Sequence, residues 1–197
     1  MKMSKYKVIA ICGKSASGKD TLLRKIIALN PEVHEIIGCT TRPPREHEVD
    51  GIDYFFLSLE EFAAKDLNNE MLETSQFREW LYGTSIDGLD SNLINVGVFN
   101  PTGIYKLMSA DNIELYVVQV QAPDKVRLLR SLYRETNPDI DEIIRRYSAD
   151  KTDFEYFSQI YEPDYIFDSS NSSWIDLELA AETIPLRARC HWAKEAN

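Results

Sequence analysis

Val8-Ile9-Ala10-Ile11-Cys12 is an unbroken apolar run closed by Gly13. A short run of this kind reads as a strand buried on both faces, as in a parallel sheet. From Asp20 to Leu29 the apolar residues Leu22, Leu23, Ile26, Ile27 and Leu29 follow helical spacing, and Asn30-Pro31 stops the pattern. The chain therefore opens as strand, glycine loop, helix. His34–Thr41 is expected to form a second strand, and Arg42–Asp53, polar and carrying Pro43-Pro44 and Gly51, a loop. Tyr54–Leu57 reads as a strand. Ser58 and Glu61 have capping-box spacing ahead of a short helix with Phe62 and Leu67. Met71–Tyr82 alternates poorly and suggests short strands. Ile94–Phe99 and Leu115–Val120 are further buried-strand candidates. Val126–Arg134 and Ile140–Phe157 read as helices, Tyr165–Phe167 as a last short strand, and Trp174–Ala188 as a last helix interrupted or ended near Pro185.

Strands alternating with helices predict an α/β fold with a parallel sheet. The stretch from about 40 to 92 breaks the alternation and is expected to be an insertion at one end of that sheet. No repeat or low-complexity tract interrupts the pattern.

Composition then narrows the class. The 197 residues suit one domain and can bury roughly 70% of the unfolded surface, enough for a core without staples. The 32 acidic against 22 basic residues give a net charge of -10, which argues against a partner such as a nucleic-acid polymer. A locally basic phosphate site remains compatible with that average. Cys12, Cys39 and Cys190 share no metal-type spacing, and three is a poor disulfide framework, so a reduced compartment is expected. Val8–Cys12 is too short for a signal h-region or a membrane span, which predicts a cytoplasmic protein with no membrane partner.

Gly13-Lys14-Ser15-Ala16-Ser17-Gly18-Lys19 matches the phosphate-binding pattern G-x-x-x-x-G-K, placed between a buried strand and a helix. The glycines let backbone N–H groups curl around an anion while the helix turns its positive end toward it. Lys19 would sit beside the terminal phosphates of ATP. The next residue is Asp20, followed by Thr21, where such loops usually carry a hydroxyl residue on Mg²⁺. A carboxylate is a suitable hard ligand for Mg²⁺. Equally, an acid in the first helical turn complements the helix dipole.

A second motif runs from Thr40 to Phe56, TTRPPREHEVDGIDYFF. Arg42 and Arg45, three apart in a proline-stiffened loop, suit capture of another phosphate, because each guanidinium can donate two parallel bonds. This segment resembles the guanylate kinase signature T-T-R-x-P-R-x-G-E-x-x-G-x-D-Y, and the resemblance extends over roughly residues 6 to 185. It implies a P-loop nucleoside monophosphate kinase fold: a three-layer core (about 5–39 and 93–190), an inserted acceptor-binding part (about 40–92) and a helical lid (about 130–147). The resemblance assigns Arg42, Arg45 and Tyr54 to the acceptor phosphate, Glu73 to the guanine edge, and Tyr82 and Thr84 of Tyr82-Gly83-Thr84 to phosphate and base. It assigns Arg130 and Arg134 to the lid, together with one of Arg145 or Arg146. One extra residue before that pair leaves the choice open. ATP and Mg²⁺ are the implied donor and cofactor, small nucleotides the implied partners, and a monomer or homodimer the expected assembly.

Four departures from the family pattern stand out. Asp20 follows the loop lysine, Gly38 stands where a contacting serine is usual, His47 replaces a signature glycine, and Val98 and Asn100 replace acids, one of which lies near the acceptor nucleoside in the family. Asn100 is retained as an acceptor-site candidate. Three alternatives follow. A ribose 1,5-bisphosphate phosphokinase also has the G-K-D loop. A deoxynucleoside monophosphate kinase would have shifted base choice. A catalytically inactive guanylate kinase-like module would only bind a protein.

Overall fold

The computed structural model describes residues 5–44, 48–77, 79–134, 136–170 and 173–195. Five strands form one wholly parallel sheet in the order β2-β7-β1-β8-β9: β1 Tyr6–Cys12, β2 Val33–Glu35, β7 Ile94–Val98, β8 Ile113–Gln121 and β9 Tyr165–Asp168. Strand β1 lies at its centre, with both edges paired. Its side chains alternate between two cores, which explains the unbroken apolar run. Ile9 and Ile11 point into a core with Leu22 and Ile26 of helix α1 (Lys19–Leu29) and Ala181 and Ile184 of helix α6 (Trp174–Glu195). Val8, Ala10 and Cys12 point the other way, toward Ile104 and Leu107 of helix α3 (Pro101–Met108) and Phe154 and Phe157 of helix α5 (Ile140–Ile160). This is the three-layer α/β arrangement expected from the sequence. Helix α4 is Asp124–Tyr133.

A second sheet of four strands has the order β4-β3-β6-β5: β3 Cys39–Thr40, β4 Phe55–Phe56, β5 Met71–Phe77 and β6 Trp80–Ser85. Helix α2 (Leu59–Leu67) follows β4, and its capping box is formed: Glu61 N–H donates to Ser58 Oγ, and Ser58 N–H donates to Glu61 Oε2. Gly83 in β6 could not be another residue without rearrangement. A Cβ there would lie 2.6 Å from Glu73 O and 3.2 Å from Phe62.

The sequence reading is corrected at four places. His34–Thr41 is not one strand. Val33–Glu35 pairs with β7 in the first sheet, the chain crosses over at Ile36–Gly38, and Cys39–Thr40 pairs with β4 and β6 in the second. Met71–Tyr82 belongs to one antiparallel hairpin rather than several short strands. Helix α3, unanticipated, starts on Asn100, whose side chain accepts from Gly103 N–H at 2.7 Å, with Pro101 at the tolerated first position.

Helix α6 continues through Pro185 to Glu195. Proline cannot supply the N–H that the carbonyl four residues back would accept. That carbonyl, of Ala181, instead accepts from the buried side chain of Asn30 at 3.1 Å. Beyond it Trp192 is buried, which anchors the end of the helix, while Cys190 is exposed. All three cysteines are free. No helix among the described residues is long and apolar enough to cross a membrane.

Candidate active site

The glycine loop leaves β1 at the carboxyl end of the sheet, where ligands of open α/β folds bind. Gly13 has φ +150°, and a Cβ there would come within 2.3 Å of Val120 O, so only glycine lets the loop pass this close to β8. Ala16 adopts φ 58° and Gly18 φ 101°, a left-handed curl that turns successive N–H groups inward. Gly18 caps α1 with no side-chain hydrogen bond, leaving the first-turn amides for an anion. Lys14 and Ser17 border a separate cavity of about 470 Å³ on the far side of the loop, next to Lys151. The Lys19 ammonium donates to Lys14 O at 3.2 Å. Burial lowers its pKa, and the carboxylates of Asp20 and Asp150 oppose that shift. Asp20 and Thr21 are exposed.

Two cavities meet at this loop. One, of about 220 Å³, is lined by Ser15, Ala16, Lys19 and Asp20 on the loop side and by α4 and α5 opposite. The other, of about 1280 Å³, lies between the loop, the second sheet and α5. Ser15, Asp20, Arg134, Glu142, Arg146 and Asp150 line both. These six residues mark the junction across which a group could pass between two ligands.

The large cavity holds most of the predicted acceptor residues. Arg42 is buried and pairs with Glu48 at 2.8 Å, which keeps its guanidinium firmly protonated. Its charge lies 5.7 Å from the Tyr54 ring centre and 5.8 Å from that of Phe56. Tyr54 and Tyr82 meet edge to face, with centroids 6.1 Å apart. Burial raises the Tyr54 phenol, which therefore stays protonated as a donor. Arg45 lies outside the described residues, as does His47.

Glu73 on β5 sits opposite Thr84 on β6, and Thr84 Oγ1 donates to Glu73 Oε1 at 3.0 Å. Desolvation raises the Glu73 carboxyl, against the lowering effects of Thr84 and Lys106. Gly38 and Asn100 line the same cavity, but the Asn100 carbonyl oxygen is engaged in capping α3. Val98 borders it too, so Gly38, Val98 and Asn100, three of the positions that depart from the family pattern, line the larger cavity.

The helical arginines divide by partner. Arg134 and Arg146 line both cavities, whereas Arg145 lines only the larger. Glu142 takes Arg145 Nε at 2.7 Å and Arg146 Nε at 2.7 Å, and the two guanidiniums hold its carboxyl down to about 2. Arg130 lines neither cavity. Its guanidinium donates to Ser17 O at 3.3 Å and Ser169 O at 2.7 Å, bracing the loop from behind.

Two residues were missed by the sequence reading. Arg127 is buried and donates to Ser15 O at 3.0 Å and Asp124 at 2.8 Å, with the Tyr147 ring 5.0 Å away. Asp150 accepts from Ser15 N–H at 2.7 Å and Arg127 at 3.2 Å. Helical spacing could have signalled both, since Arg127 stands three before Arg130 and Asp150 four after Arg146.

Strand, glycine loop, helix and an inward lysine, beside a second cavity lined by Arg42, Arg145 and Arg146, define a P-loop protein. A guanylate kinase family profile matches residues 5–171. Guanylate kinase from Thermotoga maritima is 29% identical over 198 residues, covering 96% of this chain and 89% of that protein. The Malacoplasma penetrans guanylate kinase is 33% identical over 154 residues, 74% of this chain and 79% of the relative. For the guanylate kinase of Synechococcus elongatus the identity is 48% over 82 residues, and the matched region spans only 45% of that protein's length. The crystal structure of guanylate kinase from Anaplasma phagocytophilum superposes with a TM-score of 0.64 at 18% identity, covering 95% of this chain and 87% of that one, which shows a shared fold. The chain belongs to the guanylate kinase family.

Proposed function

We propose that this protein transfers the γ-phosphoryl group of ATP to GMP or dGMP, giving ADP and GDP or dGDP. The observation that carries this reading is the Glu73–Thr84 pair, set in the same cavity as Arg42 and opening onto the glycine loop. A half-buried carboxylate beside a hydroxyl suits the N1–H and 2-amino donors of guanine. Adenine lacks both donors and would leave Glu73 desolvated and unpaired.

Phosphoryl transfer asks mainly for two anionic groups held in line with their charge neutralised. The loop amides and Lys19 hold the donor phosphates. Arg42, Arg45, Tyr54 and Tyr82 hold the acceptor phosphate. A phosphate oxygen of the acceptor attacks the γ-phosphorus as the bond to the bridging oxygen breaks, and ADP leaves. Arg134 and Arg146, at the junction, neutralise the charge in transit, and Arg145 acts from the acceptor side. Arg130 supports the reaction by fixing the loop. Closure of α4 and α5 over the donor would exclude water.

Among the described residues no three His, Cys, Asp or Glu side chains form a metal cage. That suits Mg²⁺, which keeps several waters and takes one or two carboxylates plus substrate phosphates. Asp20, exposed at the junction, would hold it, and when bound it supplies neutralisation of the phosphate charge. We assign residues 40–92 to acceptor binding, 130–147 to the lid and the remainder to the core, in a cytoplasmic setting that suits three free thiols.

A sugar bisphosphate carries no base and gives the Glu73–Thr84 pair nothing to read, which disfavours the ribose 1,5-bisphosphate alternative. An inactive binding module would have no need of the loop geometry around Lys19. ADP release measured with GMP, dGMP, AMP, dTMP and ribose 1,5-bisphosphate tests the reading. Turnover is expected with GMP and dGMP. Turnover confined to the sugar, to dTMP or to none would overturn it.

A further inference from the structure

Asp150 is a residue of α5, yet its carboxylate sits on the glycine loop. Oδ2 accepts the Ser15 backbone N–H at 2.7 Å and the Arg127 guanidinium at 3.2 Å. Its charge also acts on the Lys19 ammonium. A backbone amide of the loop, a guanidinium and the loop lysine are the three kinds of group that a nucleotide phosphate oxygen meets in such a site. Asp150 thus makes, from within the chain, two of the contacts of a phosphate and acts electrostatically on the third group. Its side chain is only 15% exposed, and it lines both the donor and the acceptor cavity.

Two anions cannot share one amide in a desolvated cleft without strong repulsion. The geometry points to Asp150 as an internal competitor for the donor's phosphates: the ligand-free site is closed by its own carboxylate, and the donor binds by displacing it. This rests on the proposal that the loop holds ATP. Arg127 makes the exchange feasible, since it keeps its bond to Asp124 at 2.8 Å after Asp150 leaves. Because Asp150 rides on the helix that carries Arg145 and Arg146, its release also frees that helix to reposition them once the donor is present. The donor's apparent affinity is reduced by the fraction of molecules in the self-occupied state.

Asp150→Asn keeps the shape and removes the charge. Calorimetry on the whole chain with Mg-free ATP, MgATP and pyrophosphate is expected to show Kd tightened about fivefold or more for all three. Binding of GMP alone is expected to be unchanged. Asp150→Ala provides a second variant with the same expected direction. An independent reading needs no ligand: the Ser15 amide proton, bonded to a carboxylate in the wild type, is expected to shift upfield in Asp150→Asn in a ¹H–¹⁵N spectrum. An unchanged Ser15 resonance, or unchanged Kd values in both variants, would overturn the inference. Weakened MgATP binding with unaltered Mg-free ATP binding would overturn it in favour of Asp150 as a metal ligand. If the wild type binds neither ATP nor pyrophosphate, the donor-site reading itself fails, a result distinct from these.

Discussion

Thr84 donates its hydroxyl to Glu73 across the β5–β6 hairpin at 3.0 Å, fixing one carboxylate oxygen and leaving the other for a ligand. Burial raises the Glu73 carboxyl above its ordinary value of 4.5. The folded chain therefore holds this proton to higher pH than the unfolded chain does, and ionising Glu73 costs ligand-free stability as pH rises through the elevated value. GMP affinity is expected to have the opposite trend, because only the carboxylate could accept both guanine donors. Titrations across pH 4.5–8 are expected to show GMP binding weakening as pH falls through the raised value. In Glu73→Gln that slope is expected to shrink to the part set by the second ionisation of the GMP phosphate, at about pH 6, and the KM for GMP to rise, with ligand-free stability near neutral pH at least that of the wild type. A slope in the variant as steep as in the wild type would place the titrating group elsewhere.

Lys19→Met removes the ammonium proposed to face the donor phosphates and leaves the loop backbone in place. Loss of one such charge-stabilising donor lowers kcat by about a hundredfold or more. Steady-state kinetics with saturating GMP checks this, and a loss confined to KM would show that Lys19 only binds.

Arg146 lines both cavities and Arg145 only the larger, although Glu142 holds both. Arg146→Ala is expected to reduce kcat by about tenfold or more, and Arg145→Ala to act mainly through the KM for the acceptor. Equal effects on both parameters would contradict the division.

Asn30 supplies the bond that Pro185 denies to Ala181 O. Asn30→Ala leaves a buried carbonyl short of its donor, a loss of about 1–3 kcal/mol and several degrees in Tm. Adding Pro185→Ala restores the helical N–H and is expected to recover part of that loss. Independent, additive effects in the thermal melts would refute the coupling.

Local periodicity was enough for four of the five central strands, the edge strand Val33–Glu35 being misread as part of a longer one. The run Val8–Cys12 and the pattern from Asp20 to Leu29 name a strand and helix that need no distant partner to be recognised. The glycine loop and the Thr40–Phe56 motif were legible for the same reason, being contiguous. What escaped depends on residues far apart in the chain. Pro185 reads as a helix stop because the compensating amide of Asn30 lies 151 positions away. Asp150 went unremarked because its partner, the Ser15 amide, is 135 positions away and belongs to the backbone. Arg130 reads as a cleft residue because sequence shows the charge and not its direction, which is toward the carbonyls of Ser17 and Ser169. That Asn100 also caps α3 was not legible, because the helix itself was not anticipated.

The most direct test of the account is the ratio of kcat/KM for GMP to that for AMP with ATP as donor, in the wild type and in Glu73→Gln. A site that leaves a buried carboxylate unpaired on the wrong base discriminates strongly, so the expected wild-type ratio is on the order of a thousand or more, collapsing in the variant. A ratio near one in the wild type, or a large ratio untouched by Glu73→Gln, would contradict the assignment of guanine recognition to Glu73 and Thr84.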